Sequence, residues 1–274
     1  MSDLSVLLAH YVQHWGLTTT GPCWKTASSC LQPVRLADGR AAMLKVTADA
    51  AEQRGGRQLL GWQKSGGAVP VYAHGPEAFL LAWAPESRSA LALARSGGVG
   101  DDLATRLLGA NQVKLHEVSL GDFTELQPLA QWFTDLLSTP LLEARLLPAQ
   151  RLAEALLATP QSCVSLHGDG HHDNLLCFGP DDWRVIDPKG LCGEHYFDYA
   201  PILANPDLGS LALAPQRFER QLALACTEQD LDPQRLAQWT AAAAALSAVW
   251  FLDDGLMAQG EQQLALMALA LCYV

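Results

Sequence analysis

The stretch His167-Gly-Asp-Gly-His-His-Asp-Asn174, followed by a second acid at Val185-Ile-Asp187, constrains this chain more than any other part of it. Asp169 stands five residues before Asn174, and Asp187 follows thirteen residues later at the end of a short apolar run. Leu175-Leu-Cys-Phe178 and Trp183-Arg-Val-Ile186 flank the turn-forming Gly179-Pro-Asp-Asp182, which predicts a hairpin of two short strands with the Asp and Asn groups at its mouth. Phosphoryl transfer from a nucleotide to a hydroxyl needs such a set. One carboxylate accepts or orients the hydroxyl proton, while a carboxylate and an amide hold the magnesium that bridges the phosphates. The expected roles are Asp169 as base or orienting group, with Asn174 and Asp187 as ligands of Mg²⁺.

Three histidines within six residues, His167, His171 and His172, also fit a zinc site, as in a zinc hydrolase. No HExxH or paired CxxC accompanies them, so this reading ranks last. The gap from Asp169 to Asn174 is that of a kinase catalytic loop, whose second metal ligand likewise sits on a separate strand end.

The upstream sequence supplies what a nucleotide site needs. Residues 3–16 carry Leu4, Leu7, Leu8, Tyr11 and Trp15 on one helical stripe. Cys30 to Val46 predicts a hairpin around Asp38-Gly39, with Lys45 in its second strand as the candidate grip on the α- and β-phosphates. A lysine between apolar neighbours more often simply faces solvent, but its place just before a helix favours the functional role. Residues 48–64 predict that helix, with Glu52 as the partner holding Lys45, although Gly55 and Gly56 weaken it. Val69 to Tyr72 and Phe79 to Ala82 complete an antiparallel sheet. Trp83, at its end, fits either an adenine-facing hinge residue or an ordinary core aromatic.

Beyond Ala84 the chain reads as helices at 99–115, 127–137, 148–158, 215–227, 233–252 and 259–272. The expected lobes are therefore 1–84, which binds nucleotide, and 85–274, which carries the chemistry and the second substrate. The first holds seven Lys/Arg against five Asp/Glu, a net of +2, and the second eleven against 24, a net of −13. That balance disfavours nucleic acid and anionic membranes and favours a small cationic substrate, although acidity for solubility alone explains it equally well. Trp250, Asp253 and Asp254 share a helix face and suit an ammonium or guanidinium, unless the two acids merely solvate a helix end.

The same residues carry a resemblance. Leu166 to Leu175, Val185-Ile-Asp-Pro-Lys-Gly190 and Phe197-Asp-Tyr-Ala200 resemble the aminoglycoside phosphotransferases, with the Ile-Asp-Pro-Lys-Gly wording nearest the branch of streptomycin 6-phosphotransferases and hydroxyurea-type resistance kinases. The likeness is dense over 155–205, weaker over 35–85 and near 247–255. It implies an α+β, two-lobed protein-kinase-like fold with a small antiparallel-sheet N-lobe and a mainly helical C-lobe. It further implies ATP and Mg²⁺ as cofactors, phosphorylation of an aminoglycoside, streptomycin at its 6-hydroxyl foremost, and a role in antibiotic resistance. Ser28 and Ser29 are implied at the phosphates, and Asp198 as the acid holding the catalytic loop. Gly170 departs from the pattern, since the resembled sequences more often carry leucine there. The alternatives are a kinase of hydroxyurea or another small hydroxylated metabolite, or a non-catalytic kinase-fold binding protein. Against the latter, Lys45, Asp169, Asn174 and Asp187 are all present.

At 274 residues with 49% apolar and 17% charged side chains, the chain can bury a full core. The alanine-rich apolar stretch Ala241 to Leu252 is too short to span a bilayer, and Met1-Ser-Asp-Leu4 shows no basic secretory n-region. The seven cysteines are odd in number and widely spaced, which predicts reduced thiols in a cytoplasmic protein.

Overall fold

The computed structural model describes residues 4–85, 88–118, 124–140, 143–205 and 212–274. Helix α1 (Leu4–His14) precedes the strands β1 (Thr18–Thr19), β2 (Trp24–Lys25), β3 (Ser29–Arg35) and β4 (Ala41–Thr47). Helix α2 (Ala50–Gly61) leads on to β5 (Val71–Gly75) and β6 (Ala78–Ala82). These strands form an antiparallel sheet ordered β1-β3-β4-β6-β5, with β2 also on β3. Period-two alternation decides its faces. Ala42, Leu44 and Val46 are buried against Tyr11, Leu17, Val34 and Leu80, which turns Met43 and Lys45 toward the opposite face.

Helix α2 runs unbroken through Gly55 and Gly56, where the sequence suggests weakness. Close packing explains both glycines. A Cβ on Gly55 would stand 1.9 Å from the Pro188 carbonyl oxygen, and one on Gly56 would stand 2.2 Å from the Phe79 ring. Asp49 caps the helix by accepting from the N–H groups of Ala51 and Glu52 at 2.8 and 3.0 Å, which fixes Glu52 in the first turn.

The remainder is mainly helical. It contains α3 (Ala90–Ala94), α4 (Val99–His116), strand β7 (Gln127–Pro128), α5 (Leu129–Trp132), α6 (Thr134–Ser138) and α7 (Glu143–Ala158). Strands β8 (Cys163–Leu166), β9 (Leu175–Gly179), β10 (Asp182–Val185) and β11 (Leu191–Glu194) follow, then α8 (Ala200–Ala204), α9 (Pro215–Gln229), α10 (Pro233–Asp253) and α11 (Met257–Leu271). The helix expected over 127–137 is divided: residues 127–128 pair with β11, and the chain turns at Phe133 between α5 and α6. The long α10 is buried through Trp239 and Leu246 and through Ala241, Ala242, Ala244 and Ala245, whose small side chains let neighbouring helices approach. Among the described residues, no helix is long and apolar enough to cross a membrane.

The expectation of seven reduced thiols is corrected in one place. Cys23 and Cys30 form a disulfide, because antiparallel pairing of β2 with β3 folds the intervening turn back on itself. Sequence spacing alone carries no sign of that turn. Cys163, Cys177, Cys192, Cys226 and Cys272 are free.

Candidate active site

The mouth of the β9–β10 hairpin assembles the central groups. Ile186 donates its backbone N–H to the Asn174 carbonyl at 2.9 Å, which closes the hairpin beside Asp187. Asp187 adopts a left-handed backbone (φ 60°), a conformation aspartate tolerates better than most residues. Asn174 donates Nδ2 to the Asp169 carbonyl oxygen at 2.8 Å, with His171 Nε2 3.2 Å away, leaving Oδ1 as the amide atom suited to a cation. Carboxylate and amide oxygens are hard donors, so Asp187 and Asn174 fit a magnesium ion better than a soft metal.

Lys45 links the two lobes. Its ammonium meets Glu52 Oε2 at 2.5 Å and also pairs with Asp187. Burial disfavours the charged ammonium, but Asp187 and Glu52 outweigh it and raise its pKa above the ordinary lysine value. Burial likewise pushes Asp187 up, yet Lys45 and Lys189 outweigh it and hold the carboxyl well below the usual range. Lys189 continues the series, with Nζ 3.1 Å from Asp187 and 3.2 Å from Asp169. Glu52, Lys45, Asp187, Lys189 and Asp169 thus form one chain of alternating charge across the cleft.

A cavity of about 440 Å³ lies above this chain, lined by Ser28, Ser29, Lys45, Glu52, Trp83, Asn174 and Asp187. Ser28 donates Oγ to Glu52 Oε1 at 3.1 Å, while the buried Ser29 hydroxyl has no partner among the described residues. Trp83 is half-exposed at the mouth rather than in the core. It lies parallel to Trp24, with centroids 6.4 Å apart and planes 10° from coplanar. Trp24, unremarkable in sequence, comes there through β2.

A second cavity of about 210 Å³ opens on the other side of Asp169. Asp169, Lys189, Trp132, Asn205, Ser247 and Trp250 line it. Trp250 donates its indole N–H to Asp135 at 2.8 Å and meets Trp132 edge-on at 5.1 Å. Asp253 and Asp254 are exposed at the end of α10 and do not line this cavity. Asp135 and Trp132 escape sequence reasoning because they lie on the short helices α5 and α6, where one continuous helix is expected.

The loop is held from beneath. The buried Asp198 carboxylate accepts the backbone N–H groups of His167 and Gly168 at 2.8 and 2.7 Å and pairs with His116 Nε2 at 2.8 Å. Gln112 occupies the space that a larger side chain at position 170 would need, since a Cβ there would lie 2.0 Å from its Nε2. The histidines diverge instead of forming a zinc site. His167 is buried with Nε2 at 2.9 Å from the Ile186 carbonyl, His171 faces Asp169 and Asp173, and His172 is buried with no partner at either ring nitrogen among the described residues. Burial holds His172 neutral, with its pKa pushed down to about 3. Among the described residues, no group of three or more His, Cys, Asp and Glu side chains is arranged to hold a metal.

Comparison with known proteins agrees with this geometry. Streptomycin 3″-kinase of Klebsiella pneumoniae is 40% identical over 248 residues, covering 89% of this chain and 92% of that protein. Streptomycin 6-kinase of Streptomyces griseus is 28% identical, covering 97% and 88%. In fold, the chain is similar to a thermostable mutant of the aminoglycoside phosphotransferase APH(4)-Ia solved with ADP and hygromycin B, with a TM-score of 0.66, 12% identity and coverage of 96% and 97%. Residues 14–255 match the family described as aminoglycoside/hydroxyurea antibiotic resistance kinase. The chain is therefore a member of that family, a two-lobed kinase that transfers phosphate to a hydroxyl group.

Proposed function

We propose that this protein transfers the γ-phosphoryl group of MgATP to a hydroxyl of streptomycin, and that it does so in the cytoplasm as a resistance activity. The carrying observation is the position of Asp169 and Lys189 on the wall of the second cavity, with Asp187 and Asn174 in the first. Residues 1–84 serve as the nucleotide lobe and 85–274 as the acceptor lobe. Lys45, held by Glu52, grips the nucleotide's phosphates, and Asn174 and Asp187 hold Mg²⁺. Ser28 and Ser29 lie over the phosphates, and Trp83 lies against the adenine. Asp169 takes or orients the proton of the acceptor hydroxyl. Trp250, oriented by Asp135, offers an indole face to a guanidinium. Asp253 and Asp254, being exposed, contribute through the field of the acidic lobe. The 3″-hydroxyl is the preferred acceptor over the 6-hydroxyl, because the relative with 40% identity acts there by its name and the one named for the 6-position is 28% identical.

The test is purified protein with MgATP screened against streptomycin, other aminoglycosides, hydroxyurea and neutral polyols. ADP release should be fastest with streptomycin, and mass spectrometry with phosphorus NMR should place the phosphate on the 3″-oxygen. A phosphate on the 6-oxygen would overturn the regiochemistry, and faster turnover of hydroxyurea or a polyol would overturn the substrate.

A further inference from the structure

Lys189 stands between the two groups that phosphoryl transfer must bring together. Its backbone N–H donates to the His167 carbonyl at 2.9 Å, and the following Gly190 N–H donates to Gln58 Oε1 at 3.1 Å, so the segment is fixed from both sides. From that base its Nζ reaches 3.2 Å from Asp169 Oδ2 and 3.1 Å from Asp187 Oδ2. Asp169 and Lys189 line the acceptor cavity, whereas Asp187 lines the nucleotide cavity. A phosphoryl group passing from a nucleotide beside Asp187 to a hydroxyl beside Asp169 crosses the space this ammonium occupies. Lys45 is drawn to the other side of Asp187 by Glu52. The two lysines therefore divide the cleft, one on the nucleotide side and one on the acceptor side.

We propose that Lys189 is a catalytic residue, whose ammonium hydrogen-bonds the oxygens of the γ-phosphoryl group in flight while keeping the Asp169 carboxylate aimed at the acceptor hydroxyl. This rests on the kinase activity but not on the identity of the acceptor. In the step, the acceptor oxygen forms its bond to the γ-phosphorus as the bond from that phosphorus to the β–γ bridging oxygen breaks. The hydroxyl proton passes to Asp169, and ADP leaves with the electron pair of the broken bond. Lys189 keeps all its protons and supplies a fixed positive charge to the three equatorial oxygens, where the negative charge is spread. A purely structural lysine would only screen two neighbouring carboxylates in the resting enzyme.

The two roles separate in binding as well as rate. Lys189→Met keeps the length of the side chain and removes the charge, and Lys189→Gln, which removes the charge but keeps an N–H donor, is measured beside it. For both variants kcat should fall by roughly 10²–10³-fold, the loss typical of one preorganised charge stabiliser, with KM for ATP and acceptor changed less than about threefold. Calorimetric affinity for MgADP should stay within about threefold of wild type, while the tightening of MgADP binding by aluminium fluoride, a mimic of the transferring phosphoryl, should be lost. Lys189→Arg should restore part of both kcat and the fluoride effect. Undiminished tightening in Lys189→Gln, or a fall in kcat matched by an equal loss of MgADP affinity, would overturn the assignment. Because the fluoride measurement is made with and without acceptor, it stands even if streptomycin is not the substrate.

Discussion

The buried carboxylate of Asp198 accepts the backbone N–H of Gly168 at 2.7 Å, one residue before Asp169. An acid thirty residues downstream thereby sets the position of the acid that lines the second cavity. Its other bonds, to His167 N–H and to His116, leave it no freedom to move without dragging the loop. Asp198→Ala should destabilise the fold by about 3 kcal/mol, because buried donors and His116 lose their charged partner, and should lower kcat in the protein that remains folded. Urea unfolding and steady-state kinetics check this, and a variant with unchanged stability would disprove the bracing role.

Asp169→Ala should lower kcat by roughly 10²–10⁴-fold, the usual worth of positioned proton transfer, while MgATP still binds. Nucleotide affinity by calorimetry and turnover by coupled assay separate the two effects. Turnover near that of wild type would remove Asp169 from the chemistry.

Activity should require Mg²⁺ or Mn²⁺ and survive removal of zinc, since the candidate donors are the oxygens of Asp187 and Asn174. Asp187→Asn should abolish productive MgATP use and also release Lys45 from one of its two carboxylate partners. Stoichiometric zinc in the purified protein, together with loss of activity on its removal, would contradict this.

The second cavity, the proposed acceptor site, gives a graded prediction. Asp135→Asn, which weakens the hold on the Trp250 indole, should raise KM for streptomycin several-fold with kcat nearly unchanged. Replacing Asp253 and Asp254 together by Asn should raise KM less, and added salt should shrink that second effect, since exposed charges are screened over about 10 Å at 0.1 M. A larger KM change in the double variant than in Asp135→Asn would reverse the assignment.

The pH dependence of stability follows from His172. Burial holds its folded pKa at about 3, below its ordinary value of 6.5, so the unfolded chain binds a proton that the folded chain refuses. That contribution is complete above pH 6.5 and is lost as the pH falls toward the folded value, with a slope approaching about 1.4 kcal/mol per pH unit. His172→Phe should flatten the slope between pH 6.5 and 5 in urea titrations. Some slope should persist, because burial also depresses His167. Equal slopes in the two proteins would rule His172 out as its source.

Much of this site is legible in sequence because the chain itself enforces it. Asp169, Asn174 and Asp187 lie on one loop and one hairpin, so local turn chemistry and strand alternation already gather them, and Asp198 with His116 then holds the loop in place. Lys45 is legible for the same reason, since alternation along β4 leaves one face for the core and one for the cleft. Packing between distant elements decided the rest. The sequence marks Gly55 and Gly56 as weak points, yet close approach to Pro188 and Phe79 makes them necessary. The union of Cys23 with Cys30, the parallel pair Trp24–Trp83, and the meeting of Asp135 with Trp250 depend on which strand or helix lies beside which. Periodicity says which face of an element is apolar. It does not say which partner covers that face, because many pairings bury similar area and only the whole packed core selects one.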